Sequence, residues 1–411
     1  MKPVYTLYVR FRELMLITRD NRKSLPVVFS VCWFSYASAY LCRINFVVTM
    51  SYLSSLYGWD KIYLGMVAGG FFWAYACGQL INGIIGDRFS SRWFVGLGLA
   101  CTGIMNLLIP FAGGNRLLIF WTANGFFQSM LWGPILRTVT SAVGADNQTR
   151  SKIAAAMSTS FVVGSFAAYS ILGRIVSISW QMAFWIPGLI MLLCSVVWII
   201  AIPKQTRQPV IRAVQTGSFR QFVMGNGLLL NGILCLFHGV IKESITVWGP
   251  TFLSEVYTMP YQYAVQAFAL IPIMNFIGVL FSGWLNKKYN GQYSAALSIF
   301  FIVSGIGCGV LLVTLGLSFY VTLALMSLLS ALMLAVNSTL LAFLPMKFSK
   351  ENRVSGVAGY FDFNVYMGAA AVSPLTGLIS DNGWHGVFIL WIIICCAAVA
   401  LAQILKIRYD N

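Results

Sequence analysis

Long apolar runs separated by short polar connections recur along all 411 residues of the chain. Each run holds the roughly 20 residues that carry an α-helix across a bilayer. Twelve are placed, with ends good to a few residues: 26–54, 62–86, 93–113, 117–140, 152–177, 181–203, 222–256, 262–285, 294–315, 318–345, 354–380 and 384–405. A barrel would alternate apolar and polar residues in strands of roughly 10 residues, a pattern this chain lacks. The expected class is an all-α membrane protein with twelve transmembrane helices.

The longest polar connection, "KQTRQPVIRAVQTGSFRQ" at 204–221, divides the runs six and six. The expected organisation is an N-terminal six-helix bundle with its tail over 1–203, a linker over 204–221, and a C-terminal six-helix bundle over 222–411. The halves repeat weakly. "SYLSSLY" at 51–57 echoes "TFLSEVY" at 251–257, and Gly83 and Gly283 keep the same offset of 200. Repeat-built transporters place their substrate between such halves, near the midplane.

Composition sharpens this reading. Hydrophobic residues make up 59% of the chain and charged ones only 9%, against about 25% charged in soluble domains. The net charge of +16 is not spread evenly. The N-terminal tail and the even-numbered connections hold Arg10, Arg12, Arg19, Arg88, Arg92, Arg137, Arg150, Lys204, Arg207, Lys287, Lys288, Lys347 and Arg353, and the odd connections only Lys61 and Arg116. By the positive-inside rule both termini are expected in the cytoplasm. A nucleic-acid patch would not alternate from loop to loop, so no nucleic-acid partner is expected. The first run is too long for a signal-peptide core and is read as retained. All nine cysteines fall in apolar runs with no C-x-x-C pair, so neither a disulfide nor a metal site is expected.

Against this background two cations stand out: Arg43, mid-run in span 1, and Lys242, mid-run in span 7. A charge at the centre of a lone spanning helix costs roughly 2.5–3.5 kcal/mol on insertion scales, so such residues face a cavity or a partner. Placed alike in two halves, they suggest a pocket for an anion. Their offset is 199, one residue out of register, and strict symmetry would pair Arg43 with Glu243. The repeat alone does not choose between Lys242 and Glu243. Small residues such as Gly65 and Gly69 are read as close helix packing.

The end of span 2, "GIIGDRFSSRW" from Gly83 to Trp93, resembles the G-x-x-x-D-R-x-x-x-R loop of the major facilitator superfamily. The resemblance implies two pseudo-symmetric six-helix bundles and assigns a gating role to Gly83, Asp87, Arg88 and Arg92. The second copy, "GWLNKKY" from Gly283, has Lys287 where the acid belongs. A narrower resemblance is to the organophosphate/phosphate antiporters, which include the bacterial glycerol-3-phosphate and animal glucose-6-phosphate transporters. It is carried by "YLCRINF" (Tyr40 to Phe46), "NGFFQSMLWGPILR" (Asn124 to Arg137), Lys242 six residues before Trp248, "STSF" at 158–161, and "YMGAAAVSPLTGLISDNGWHGVF" in spans 11–12. It implies that Arg43 and Lys242 hold a phosphate group. A guanidinium offers forked donors to phosphate oxygens, whereas a lysine acts as a point charge. Tyr36, Tyr40 and Tyr75 are candidate hydroxyl donors, and Gln128 and Trp132 candidate cavity-lining residues.

Two positions depart from that pattern. Ile44 and Gln79 stand where these antiporters carry lysine. "WAYACGQ" around Gln79 also resembles the organic-anion/cation symporters. Asp362 and Glu243 are intramembrane carboxylates, for which proton coupling and a structural ion pair, such as Asp362 with Lys242 or Arg43, weigh about equally. His238, one turn before Lys242, is a candidate substrate contact, though a hydrogen bond to a neighbouring helix is the favoured role. His385, Arg174 and Arg137 are assigned surface or gate positions.

The expected function is secondary transport of a small organic anion, with organophosphate exchanged for inorganic phosphate by alternating access. The alternatives are a proton-coupled organic-anion symporter and, ranked lower, a transporter-like sugar-phosphate sensor. No nucleophile–base motif, phosphate-cradling loop or metal cluster marks an enzyme, and no cofactor is expected. A monomer in a bacterial inner membrane completes the expectation.

Overall fold

A computed structural model describes residues 25–86, 89–113, 116–142, 147–203, 219–289, 291–349, 351 and 353–409. The described chain is helical throughout. Helix α1 is Leu25–Tyr57 and α2 is Lys61–Gly86. Helix α3 is Ser91–Leu108, and α4 comes in two pieces, Arg116–Gln128 and Trp132–Ser141. Helix α5 runs from Asn147–Ala167 through a widened π turn at Ala168–Leu172, and α6 is Met182–Ala201. In the second half α7 is Leu228–Val256, and α8 is Tyr261–Ala267 continued by Leu270–Lys288. Helix α9 is Tyr293–Val313, α10 is Phe319–Ser338, α11 is Val354–Ser380 and α12 is His385–Tyr409. All twelve expected spans are therefore helices. The chain is a multi-pass membrane protein of two six-helix bundles, and twelve crossings place both ends of the described chain on one face.

Among the described residues ten helices are long and apolar enough to cross a bilayer on their own. The two that fall short do so for different reasons. Helix α11 carries Asp362, Asn364, Ser373 and Pro374 among its apolar residues. Helix α4 is interrupted at Ser129–Leu131, where the amides of Ser129, Met130 and Leu131 reach carbonyls three residues back at 3.2 Å. Pro134 supplies no N–H to continue the regular ladder, so the chain tightens there and restarts at Trp132.

The bundles show their relationship in their crossings. In the first half α1 meets α5 where Gly164 faces the backbone of Ala37, and α2 meets α4 where Gly125 faces Phe71. In the second half α7 meets α11 at Gly239 and Val365, and α8 meets α10 at Gly278 and Ala331. At each crossing an added Cβ would collide with main chain, the packing expected where small residues let helices approach. A buried polar network locks the first half. Asn45 Nδ2 donates to Asn106 Oδ1 at 2.7 Å and to the Ala183 carbonyl at 3.1 Å, and Asn124 Nδ2 donates to the Cys42 carbonyl at 3.0 Å.

The halves join along α2 and α11. A Cβ on Gly69 would lie 2.7 Å from the Ala370 carbonyl oxygen, and Gly65 packs equally closely on Ser373. Gly65 and Gly69 thus serve the contact between halves rather than packing within one. At the face opposite the termini, Lys61 Nζ meets Glu255 Oε2 at 2.8 Å and Asp381 Oδ1 at 4.0 Å. Trp384 Nε1 donates to the same Glu255 oxygen at 2.9 Å, and Lys61 sits 5.3 Å from the Trp384 ring. Tyr261 donates its hydroxyl to the Val47 carbonyl, another link between halves. The far face is closed.

Candidate anion-binding site

Helical spacing puts Tyr36, Tyr40 and Arg43 at i, i+4 and i+7, one face of α1. The Tyr36 ring packs 4.5 Å from Trp132 and 5.5 Å from Tyr40, and Tyr40 lies 5.9 Å from Phe161. These aromatics form a row along α1 leading to Arg43. Gln128 and Trp132, four residues apart on α4, both face α1.

The Arg43 guanidinium donates from Nε to Gln128 Oε1 at 3.1 Å and from a terminal nitrogen to the Tyr366 hydroxyl at 3.4 Å. It stands 4.6 Å from the Tyr75 ring, 5.0 Å from Tyr40 and 5.6 Å from Phe71. Gln128 is oriented in turn by donating to the Cys42 carbonyl at 3.0 Å. Among the described residues no carboxylate comes within salt-bridge distance of Arg43. Arg43 is half-buried, and a guanidinium held only by neutral groups suits a phosphate or carboxylate.

Lys242 stands differently. Its ammonium is paired with the carboxylate of the adjacent Glu243, which is 5% exposed. Neighbours in sequence normally diverge on a helix, yet here the two charged groups meet. The two cations are thus not equivalent: Arg43 is held only by neutral groups, and Lys242 is already neutralised. The one-residue slip in the repeat has a physical consequence, because α7 presents a lysine and a carboxylate where α1 presents an arginine alone.

Asp362 pairs with neither cation. Gln79 Nε2 donates to Asp362 Oδ2 at 2.9 Å, joining α2 to α11. The amide at the position of an expected lysine and the unexpected acid are each other's partners. One turn farther from the termini, Tyr75 and Tyr366 pack with ring centroids 4.4 Å apart. Gln79–Asp362 and Tyr75–Tyr366 therefore form two rungs between the halves.

His238 is fully buried inside the second bundle, its Nε2 lying 3.1 Å from Asn337 Oδ1 on α10. The amide oxygen only accepts, so the ring donates there, and its role in this structure is helix–helix bonding. Gly83 has open space where its Cβ would stand, and the Arg92 guanidinium lies 5.7 Å from the Trp93 ring. Asp87 and Arg88 lie outside the described residues, as do the tail cations and residues 204–218 of the linker. Tyr366, Phe71 and Asn337 were not anticipated as site or support residues. Tyr366 was available as the residue one turn beyond Asp362.

The sequence profile described as the Major Facilitator Superfamily matches residues 32–371. The chain belongs to the major facilitator superfamily. Curated relatives include a probable hexose phosphate transport protein of Chlamydia trachomatis, 23% identical over 91% of this chain and 89% of its own length. The glycerol-3-phosphate transporter of Bacillus subtilis is 24% identical over 90% of each chain, and the membrane sensor protein UhpC of Escherichia coli is 22% identical over 87% of each. Among solved structures, a bacterial homologue of the human lysosomal transporter Spinster, inward-facing and unoccupied, superposes with a TM-score of 0.78 at 12% identity over 95% of this chain and 98% of that one. The nucleoside transporter NupG gives 0.74 at 14% identity over 94% and 99%. This superfamily member thus shares its fold with proteins of dissimilar sequence.

Proposed function

We propose that this protein is a secondary transporter of organophosphate in exchange for inorganic phosphate, with Arg43 as the phosphate anchor. The observation that carries the reading is an arginine mid-span with, among the described residues, no carboxylate at ion-pair distance, ringed by Tyr40, Tyr75, Tyr366 and Gln128. An incoming phosphate supplies the counter-charge that the fold withholds. It also draws Lys242 away from Glu243, so both halves close on one ligand. The names of relatives from Chlamydia trachomatis and Bacillus subtilis support this substrate class. We take the site as entered from the terminal face, a reading supported by the contacts of Lys61 with Glu255 and of Tyr261 with Val47 that join the halves at the far face. The terminal face is read as cytoplasmic, from the alternation of basic loops, and the membrane as a bacterial inner membrane. The protein works as a monomer, with rocking of two halves as its only machinery.

Phosphate counterflow in proteoliposomes tests this. Saturable exchange without a proton gradient, abolished in Arg43→Ala and strongly reduced in Arg43→Lys, is the expected result. Exchange that persists in Arg43→Ala would remove the anchor. A second reading, proton-coupled organic-anion symport, is favoured by one observation: Asp362 is a half-buried intramembrane acid whose hydrogen-bond donor is the neutral amide of Gln79. Uptake that requires an inward proton gradient and no internal anion would select it.

A further inference from the structure

We propose that Asp362, held by Gln79, is a subsite for an ammonium group, so that the transported molecule is an amine-bearing phosphate; this rests on the transport reading above. Asp362 accepts from Gln79 through Oδ2, which leaves acceptor positions on Oδ1. Among the described residues no lysine or arginine nitrogen lies within salt-bridge distance of it. It is half-buried, as Arg43 is, and lies one turn along α11 from Tyr366, which Arg43 bonds.

The spacing of the two rungs supplies the geometry. Arg43 reaches the upper rung through Tyr366, and Asp362 is four residues earlier on α11. Four residues of helix rise about 6 Å. A phosphate and an ammonium joined by two or three carbons bridge such a gap.

Charge balance points the same way. Among the described residues Arg43 has no carboxylate at ion-pair distance, Lys242 already has Glu243, and Asp362 has no cation at ion-pair distance. A wholly anionic ligand would satisfy Arg43 and leave its remaining charge facing Asp362 across a poorly solvated cavity. A ligand carrying both signs satisfies both groups. An isolated acid in the membrane interior otherwise demands a functional account, and its bond to an amide rather than to a lysine keeps it free to take a cation from the substrate.

The test compares 2-aminoethyl phosphate with 2-hydroxyethyl phosphate, which differ only in ammonium against hydroxyl, as inhibitors of phosphate exchange by the wild-type protein in liposomes. The amine should inhibit at a concentration lower by at least about tenfold, the factor expected of one charge-assisted hydrogen bond. In Asp362→Asn that ratio should fall to about one, whereas Asp362→Glu should retain a preference for the amine. Wild-type exchange with equal inhibition by the two compounds overturns the ammonium subsite and leaves the transport reading standing, whether or not the variants fold. A preference that survives in Asp362→Asn also overturns it. If the wild type neither exchanges phosphate nor is thermally stabilised by it, the transport reading itself falls.

Discussion

Replacing Lys61 by alanine tests how the far face is held shut. In the closed state the Lys61 ammonium meets three groups of the other half: Glu255 at 2.8 Å, Asp381 at 4.0 Å and the Trp384 ring at 5.3 Å. The side chains of Lys61 and Glu255 are 21% and 38% exposed, so water screens the pair. Such an ion pair contributes roughly 0.2–1 kcal/mol, and a partly exposed cation–π contact about 0.5–1 kcal/mol. The loss is therefore about 1–2 kcal/mol, nearly all of it from the closed state, because separating the halves breaks every one of these contacts. That corresponds to a shift of roughly 5- to 30-fold toward a far-side-open state. An open fraction of about 1% would rise to about 5–25%. Spin labels at Ser55 and Tyr263, both exposed and on opposite halves, would report it by pulsed dipolar spectroscopy after replacement of the nine native cysteines. A longer-distance population should grow in Lys61→Ala and, for the same reason, in Glu255→Ala. An unchanged distance distribution in both variants would refute the latch.

Three further outcomes follow from the geometry. Gly69→Ala places a Cβ 2.7 Å from the Ala370 carbonyl oxygen; it should push α2 from α11, enlarge the same open population and slow exchange, as measured with the same label pair. Glu243→Gln strands the Lys242 ammonium; thermal unfolding in detergent should show a less stable ligand-free protein and a larger stabilisation by added phosphate than in the wild type. Asn106→Ala removes the acceptor for Asn45 inside the first bundle; it should lower stability by about 1 kcal/mol, read as a lower midpoint of thermal unfolding, and loosen the α1 backbone around Arg43.

Much of the fold was legible because a bilayer imposes a length on each helix, and the runs announced themselves. Arg43 was legible for the same reason: a charge within such a run must be accounted for. What pattern alone did not reveal was who meets whom across the two halves. Asp362 and Gln79 are 283 residues apart, and each looked anomalous singly until their hydrogen bond joined them. Lys242 looked like a twin of Arg43 because position was visible and pairing was not; its immediate neighbour neutralises it. Lys61 carried a clue, as one of only two cations in the odd connections, but its partners belong to distant helices. The halt in α4 could be tied to Pro134 only once the hydrogen bonds around Ser129–Leu131 were seen.

The polarity of α11 bears on how the protein is made. This helix holds Asp362, Asn364 and Tyr366, and it is a full-length helix that is not apolar enough to qualify as a span on its own. A nascent segment of that kind partitions poorly from the translocon into lipid. Its neighbours α2 and α7 are synthesised earlier and offer it a proteinaceous berth, with glycines at Gly65, Gly69 and Gly239 ready for close approach. Membrane integration of the last helices thus depends on the first ones already being assembled. Selection for new substrates has limited room here, since each polar group added to α11 to refine recognition also hinders its entry into the membrane.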